Sequence, residues 1–368
     1  MNDNIIPNNN NNLNDDSSIN DIRSINDFKS ITFSEYKKTS VIKELLNSLN
    51  TSKIENACNW AAELICAGHL SDLWNTLLLF IGKNIHIGNP KLPIYIDARF
   101  TKFKNILYNG YSDNELSMRN NEVIRKLFAE IICVLCLSKK KHRFEYIKIK
   151  SDKEFNITEI QASLKAPNIQ YASSFFLDKD PNELYIAVNE FTYHISNNSK
   201  NAILACYWLE WIFDFEAMCK KKKIALTGAR RVFAPVDPKL QMDIVWIIWS
   251  ILLKYSENTN KLSYKIMSSL LNIFSVKYTS NIKQKRRYLL YFAVSLITEQ
   301  IDYNIDIIVD KKEIDIVMDK INIIYKQIKK TEQKPITDYM FNGLEKQKQT
   351  TLDKTLNKLN IMDNLNNI

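Results

Sequence analysis

Apolar residues recur at intervals of three and four positions along most of this 368-residue chain. In the stretch 311–330 they are Ile314, Val317, Ile321, Ile324 and Ile328. Side chains at that spacing share one face of an α-helix, so each such stretch predicts an amphipathic helix. The pattern predicts an all-α fold of about ten to twelve helices, among them 53–67, 71–85, 97–107, 119–138, 200–222, 237–255, 261–277, 283–300 and 311–330, with another beginning at 181.

Small polar residues and glycine predict where several of these helices begin and end. Ser52 and Glu55 have the spacing of a capping box at the start of 53–67, and Gly68 can end that helix. Asn198 or Ser199 can cap 200–222.

Two predicted helices share a pattern of tryptophans. Trp208 and Trp211 lie in YWLEWIF, and Trp246 and Trp249 lie in VWIIWSI, 38 residues further on. HEAT and armadillo repeats have a similar period, so a helical array is one interpretation. Two occurrences do not establish a repeat, and we expect an irregular helical domain with these tryptophans in its core.

Changes in composition divide the chain into five segments. The Asn-, Asp- and Ser-rich segment 1–30 is predicted to be disordered, and 331–368 to be a mobile polar tail. Between them we expect an N-terminal helical lobe (31–138) and a C-terminal helical lobe (158–330). The lobes are joined by 139–157, a basic linker or arm in which aromatic residues lie among lysines.

The chain has only six glycines, where average usage would give roughly 26. Glycine lets a backbone close around a phosphate or turn with positive φ, so this depletion disfavours nucleotide-binding loops and many enzyme classes. The motifs GxxxxGK[ST], GxGxxG, HExxH and GxSxG are absent from the sequence. The composition therefore favours a binding protein over an enzyme, and we predict no catalytic residue and no cofactor.

Two groups of residues leave a metal-dependent enzyme open as the least favoured alternative. Cys133 and Cys136, with Cys66 and His69, have spacings that occur in zinc sites, but an apolar helix face surrounds the first pair. Asp302, Asp306 and Asp310 step by four and could bind a divalent ion, although a solvated face explains them better. We predict no metal site.

The six cysteines are expected to be free thiols in a reducing compartment. The opening MNDNIIPNNNNN has no cationic region followed by an apolar one, as a secretory signal would. The longest apolar run, 244–253, is about half the length that a bilayer span requires. We therefore expect a cytoplasmic protein without a membrane anchor.

The net charge of +9 is concentrated in three short stretches. There are seven cations against one acid in 220–239, seven against two in 139–153, and five with no acid in 277–287. Concentrated positive charge attracts polyanions, and arginine forks hold phosphate bidentately. The residues predicted to contact phosphate are Lys139, Lys140, Lys141, Arg143, Lys220, Lys221, Lys222, Lys223, Arg230, Arg231, Arg286 and Arg287.

A structural interpretation of these cations stays open beside the functional one. Lysines at a helix C-terminus meet the negative end of the helix dipole and need no partner. The leading prediction is a non-enzymatic scaffold whose basic loops contact nucleic acid or an acidic protein surface. The alternative is a protein–protein adaptor or virion component, binding viral or host proteins, in which the lysines only increase solubility.

Three segments also resemble a known group of proteins: NACNWAAELICAGHLSDLWNTLLLFIGKNIHIGNPKLPIYI (56–96), SMRNNEVIRKLFAEIICVLCLS (117–138) and ACYWLEWIFDFEAMCKKKK (205–223). They resemble a helical protein that recurs in giant nucleocytoplasmic large DNA viruses, over about 50–330. The group has no established activity, so the resemblance carries over no functional residue. It implies a virus replicating in the host cytoplasm as the context, with sites rich in nucleic acid.

Overall fold

Helices account for nearly all regular structure in the computed structural model, which describes residues 17–112, 114–149, 155 and 157–334. The described residues contain no β-strand, only an isolated bridge between Ile31 and Lys37. The predicted all-α fold is therefore confirmed. The helices are α1 (Lys38–Asn50), α2 (Ile54–Cys66), α3 (Leu70–Phe80), α4 (Leu92–Tyr108), α5 (Glu122–Leu137), α6 (Ile157–Ser163), α7 (Tyr185–Ile195), α8 (Ala202–Lys221), α9 (Val245–Thr259), α10 (Lys261–Phe274), α11 (Ile282–Lys285), α12 (Arg287–Thr298) and α13 (Lys311–Lys329).

Asparagine side chains cap several of these helices. Asn121 Oδ1 accepts a hydrogen bond from Ile124 N, and Asn201 Oδ1 accepts one from Leu204 N. These bonds satisfy N–H groups that have no partner within the first helical turn. Asn201 thus caps α8, rather than Asn198 or Ser199 as predicted. The predicted capping box is also wrong, because Ser52 has a φ of 57° and its Oγ donates to Cys136 O.

Helix α12 lies at the centre of the molecule. Every side chain from Tyr288 to Leu296 is buried, and the helix packs against α3, α8, α9 and α10. A π-helical turn, Ile81–Ile85, also lies against it. Gly82 permits that approach, because a Cβ there would lie 2.8 Å from the Tyr288 backbone. A helix that is apolar all round belongs inside a protein, which explains its sequence YLLYFAVSL.

The C-terminal helix closes the N-terminal part of the fold. Helix α13 packs on α5 and α2, so residues from both predicted lobes share one continuous cluster of buried side chains. The division into two lobes stays a prediction beside that shared core. Solenoid repeats contact only their neighbours, so this long-range packing fits the irregular helical domain better than an array.

The segment before α1 packs against the helices. Arg125 of α5 donates to Ser17 Oγ at 2.7 Å and to Asn322 Oδ1 of α13 at 3.1 Å. Ile19 and Phe28 are buried in the core. The predicted disordered segment 1–30 therefore does not extend to residues 17–30, while 1–16 and most of the predicted tail, 335–368, lie outside the described residues.

The tryptophan pairs are core residues, as predicted. Trp208, Trp211, Trp246 and Trp249 are all buried. Trp246 Nε1 donates to Leu240 O at 2.6 Å, so its polar edge has a partner inside the protein. In the described part of the chain, no helix combines the length and the apolar character needed to cross a bilayer.

Candidate nucleic-acid interface

A buried ion pair fixes the connection between α8 and α9, which carries the densest group of predicted phosphate contacts. Arg231 donates from Nη1 and Nη2 to the two carboxylate oxygens of Asp180, each at 2.6 Å. Its remaining bonds go to Phe175 O and Ala229 O. Arg231 is only 5% exposed, so its guanidinium is committed to the interior. Arg231 was predicted to contact phosphate, but its side chain is not accessible to a phosphate at the surface.

Asp180 is held in its charged form by the groups around it. Burial opposes ionisation, but the hydrogen bonds from Arg231 and from the N–H groups of Leu177 and Ala229 outweigh it, so the pKa of Asp180 lies below its ordinary value. Gly228 favours this arrangement, because a Cβ there would lie 3.0 Å from Asp180 Oδ1, closer than an ordinary contact. The glycine beside the two arginines thus serves close packing.

Hydrogen bonds of the backbone and of the Gln241 side chain hold the two ends of the connection together. Gly228 N donates to Met242 O at 2.8 Å, and Arg231 N donates to Gln241 O at 2.9 Å. The Gln241 side chain accepts from Arg230 Nε at 2.8 Å and donates to Ala234 O. Arg230 is exposed, so this bond orients a guanidinium that remains accessible to solvent.

Four consecutive lysines end α8. Lys220, Lys221, Lys222 and Lys223 are all exposed. Lys223 has a φ of 59°, and Ile224 N donates to Cys219 O, which is the hydrogen bond of a Schellman-type helix end. Glycine usually occupies that left-handed position, so a lysine there accepts backbone strain. We call the exposed cations Lys220, Lys221, Lys222, Lys223, Arg230 and Lys239 the basic end.

The stretch 277–287 adjoins the basic end but supplies few accessible cations. Lys220 Nζ donates to Asn281 Oδ1 at 3.3 Å, which joins the two stretches. Lys283 is buried between Glu216 and Asp243, at 2.6 and 2.7 Å, and is therefore neutralised. Arg286 is buried as well and donates to the carbonyls of Phe274 and Val276. Arg286 was predicted to contact phosphate at the surface, but its side chain is buried.

Arg287 is also engaged inside the protein. Its Nη1 donates to Glu210 Oε2 at 2.7 Å, and its guanidinium lies 4.3 Å from the centre of the Tyr146 ring. Tyr291 Oη donates to the other Glu210 oxygen at 2.8 Å. Burial raises the pKa of Glu210 to about 7 although Arg287 opposes that shift. Arg287 therefore belongs to a buried network and is a poor candidate for phosphate contact.

The segment 139–149 carries the third basic stretch and lies near the start of α8, where Arg143 and Phe144 line a cavity together with Asn201. Tyr146 contacts Arg287, and Phe155, further along the chain, packs on Trp211 and Phe215 of α8. Lys139, Lys141 and Arg143 are exposed. Lys140 is half-buried, and its Nζ donates to Ser52 Oγ and Cys136 O, so it stabilises the fold.

No protein-family model, curated protein or solved structure matches the chain. Its function must therefore be inferred from its own residues.

The other groups considered from the sequence do not form a metal site in the described residues, where no three His, Cys, Asp or Glu side chains come together. All six cysteines are buried, and burial raises the pKa of Cys133 and of Cys136 to about 12. Thiols with such pKa values stay protonated and unreactive at neutral pH. Asp310 Oδ1 caps α13, and Asp302 Oδ1 accepts from Asn304 N, so both have local structural roles.

Sequence reasoning missed two pairings that involve charged residues. Asp180 determines which of the two neighbouring arginines is buried, yet it lies 51 positions from Arg231. Lys83 donates to Tyr288 Oη, and its ammonium lies 4.6 Å from the Tyr288 ring centre. Neither pairing has a local sequence signal, because each joins residues far apart in the chain.

Proposed function

We propose that this protein is a non-enzymatic helical scaffold that binds nucleic acid through phosphate contacts at the basic end. The observation that carries the proposal is a set of six exposed cations on 220–239, where Asp237 is the single acid. Lysine and arginine contacts to phosphates give affinity with little dependence on base sequence. Arg143 lies near the start of α8, at the opposite end from the four lysines, so the exposed Lys139, Lys141 and Arg143 would make a separate contact.

Rigidity of the connection supports the proposal further. The Arg231–Asp180 pair and the backbone bonds of Gly228 and Arg231 to Met242 and Gln241 tie the two ends of 228–242 together and to the fold. Cations on a pre-ordered segment lose less conformational entropy on binding than cations on a flexible tail. Phe233, which is exposed on the same connection, can stack on a base.

The test is a salt titration with matched variants. Wild-type protein is titrated into labelled single- and double-stranded oligonucleotides of DNA and RNA between about 50 and 200 mM salt. The variant Lys221→Ala, Lys222→Ala, Arg230→Ala is compared with the control Lys254→Ala, Lys261→Ala, Lys265→Ala, which removes three exposed cations elsewhere. We expect the first variant to lower the log–log salt slope by about 2 to 3, and the control to leave it unchanged.

Equal losses in the two variants, or binding without salt dependence, would contradict phosphate contact at the basic end. An acidic protein surface is the second candidate, because Val232 and Phe233 place apolar area among the cations. Polyglutamate is the probe for it, and preference for polyglutamate over oligonucleotides at equal charge would favour that candidate. The viral context and the cytoplasmic location rest on the sequence alone and stay predictions.

A further inference from the structure

A second feature, independent of the basic end, is a cavity of about 190 Å³ between α3, α4 and the chain around Arg286. Trp74, Phe100 and Phe103 form its aromatic part. The Trp74 ring meets Phe100 edge-on at a centroid distance of 5.0 Å and Phe103 at 5.5 Å. Arg286, Val276 and Lys277 also line the cavity.

Arg286, which lines the cavity, has unused hydrogen-bonding capacity. Its Nη1 donates to Phe274 O at 2.6 Å and Val276 O at 2.5 Å, and its Nη2 donates to Asn75 Oδ1 at 3.0 Å. Nε has no partner among the described residues, and no carboxylate there forms an ion pair with this guanidinium. The Arg286 side chain is 5% exposed, and its positive charge is bonded only by neutral oxygen atoms.

The surroundings of the cavity favour an anion. Burial removes the Arg286 guanidinium from water and lowers its pKa to about 10. The indole Nε1 of Trp74 is likewise buried without a partner in the described part of the chain. Both unpaired groups are donors, so a ligand that satisfies them must supply acceptors. A buried donor left without an acceptor costs free energy that such a ligand would recover.

The cavity reaches solvent at the end where Lys277 lies. The Lys277 side chain is 60% exposed and pairs with Glu115 at 3.5 Å, and its Nζ donates to Ser71 Oγ at 3.2 Å. Ser71 and Glu115 line the cavity too. Because Lys277 and Ser71 are exposed and Glu115 is only half-buried, these bonds are weak and can open to admit a small molecule.

We propose that this cavity, the Arg286 cavity, binds a small aromatic anion whose carboxylate or phosphate bonds Arg286 and whose ring packs against Trp74, Phe100 and Phe103. A protein cavity of about 150 Å³ holds benzene, so the space here fits one ring and one compact anionic group. Arginine binds carboxylate and phosphate side-on through Nε and Nη2, the edge that carries the unpaired Nε here. The ring of the ligand would add apolar contact with these three aromatic side chains.

The experiment uses benzoate and phenyl phosphate as the anionic probes and benzamide as the neutral probe of matched shape. Isothermal titration calorimetry and tryptophan fluorescence follow binding to the full chain at concentrations up to about 10 mM. We expect one molecule of an anionic probe per chain, bound at least about tenfold more tightly than benzamide, because a charge-assisted hydrogen bond is stronger than a neutral one. The relative affinities of the two anions distinguish a carboxylate from a phosphate headgroup.

Val276→Phe is the decisive variant, because it fills the cavity and keeps both Arg286 and the carbonyl that it bonds. Val232→Phe makes the same substitution at a position that is 74% exposed and serves as the control. We expect Val276→Phe to abolish binding and Val232→Phe to leave it intact, with thermal melts confirming that both variants are folded. Equal affinity for benzamide, unchanged binding by folded Val276→Phe, or absence of anion binding to the wild type would each overturn the proposal.

Discussion

Two buried arginines in this protein have opposite surroundings. Arg231 and Arg286 are each 5% exposed. Arg231 meets the carboxylate of Asp180 with two bonds of 2.6 Å, whereas Arg286 meets two backbone carbonyls and the amide oxygen of Asn75. The first is a closed ion pair that positions a loop, and the second keeps a donor without a partner beside a cavity. Burial alone therefore does not distinguish an arginine with a structural role from one with a binding role. The hydrogen-bond partners of its guanidinium distinguish the two.

The largest effect is expected from removing the negative charge at the first site. Asp180→Asn keeps the shape of the side chain but leaves Arg231 as a buried cation without a counter-charge. Breaking a buried pair in this way costs about 3–5 kcal/mol in the free energy of unfolding. Chemical denaturation measures it, with Asp178→Asn, an exposed position two residues earlier, as the control. A loss no larger than the control's would mean that the pair does not fix the connection.

A smaller effect is expected at the second site. Arg286→Met removes three hydrogen bonds but leaves no buried charge behind, because the oxygens that Arg286 bonds are neutral. We expect the free energy of unfolding to fall by about 1–3 kcal/mol, less than in Asp180→Asn. The exposed Arg143→Met is its control. If Arg286→Met lowers the free energy of unfolding more than Asp180→Asn does, the proposed difference between the two sites is contradicted.

A third buried pair, Glu210 with Arg287, extends the comparison to the dependence of stability on pH. Here burial raises the pKa of the carboxyl more than the neighbouring arginine lowers it. Burial raises the folded-state pKa of Glu210 from 4.5 to about 7. Between these values the folded state binds more protons than the unfolded state, so the free energy of unfolding falls as pH rises from about 4.5 to 7. We expect this group to contribute on the order of 2–3 kcal/mol to that fall.

Unfolding titrations across that range measure the slope. Glu210→Gln should flatten it, and the exposed Glu257→Gln should not. An unchanged slope in Glu210→Gln would mean that Glu210 is ionised throughout. The Asp180 pair has the opposite dependence: its lowered pKa gives stability that is present above the unfolded-state pKa of about 4 and is lost as pH falls through the folded-state value.

The helices were predictable from the sequence because their signal is local. The spacing of Ile314, Val317, Ile321 and Ile328 predicted 311–330, and α13 spans Lys311–Lys329. The WxxW pairs predicted buried helix faces, which the structure confirms. Boundaries were less accurate where polar residues had alternatives, as with Ser52, whose hydroxyl bonds the carbonyl of Cys136 instead of capping α2.

Which cations are buried and which are exposed was not predictable from the sequence. Arg230 and Arg231 are adjacent and chemically identical, yet Asp180 pairs with one of them, and Gln241 orients the other towards solvent. Lys283 and Arg286 lie in a stretch with no acid of its own, and their partners come from elsewhere in the chain. Counting charges along the sequence located the basic stretches but overstated how many cations reach solvent.

The most direct test of the account compares Arg230→Met with Arg231→Met in two measurements, the melting temperature and the affinity for a labelled oligonucleotide at about 50 mM salt. We expect Arg230→Met to keep the wild-type melting temperature and to weaken binding, and Arg231→Met to lower the melting temperature markedly. If both variants melt like the wild type and lose affinity equally, the distinction between a structural and a surface arginine is contradicted.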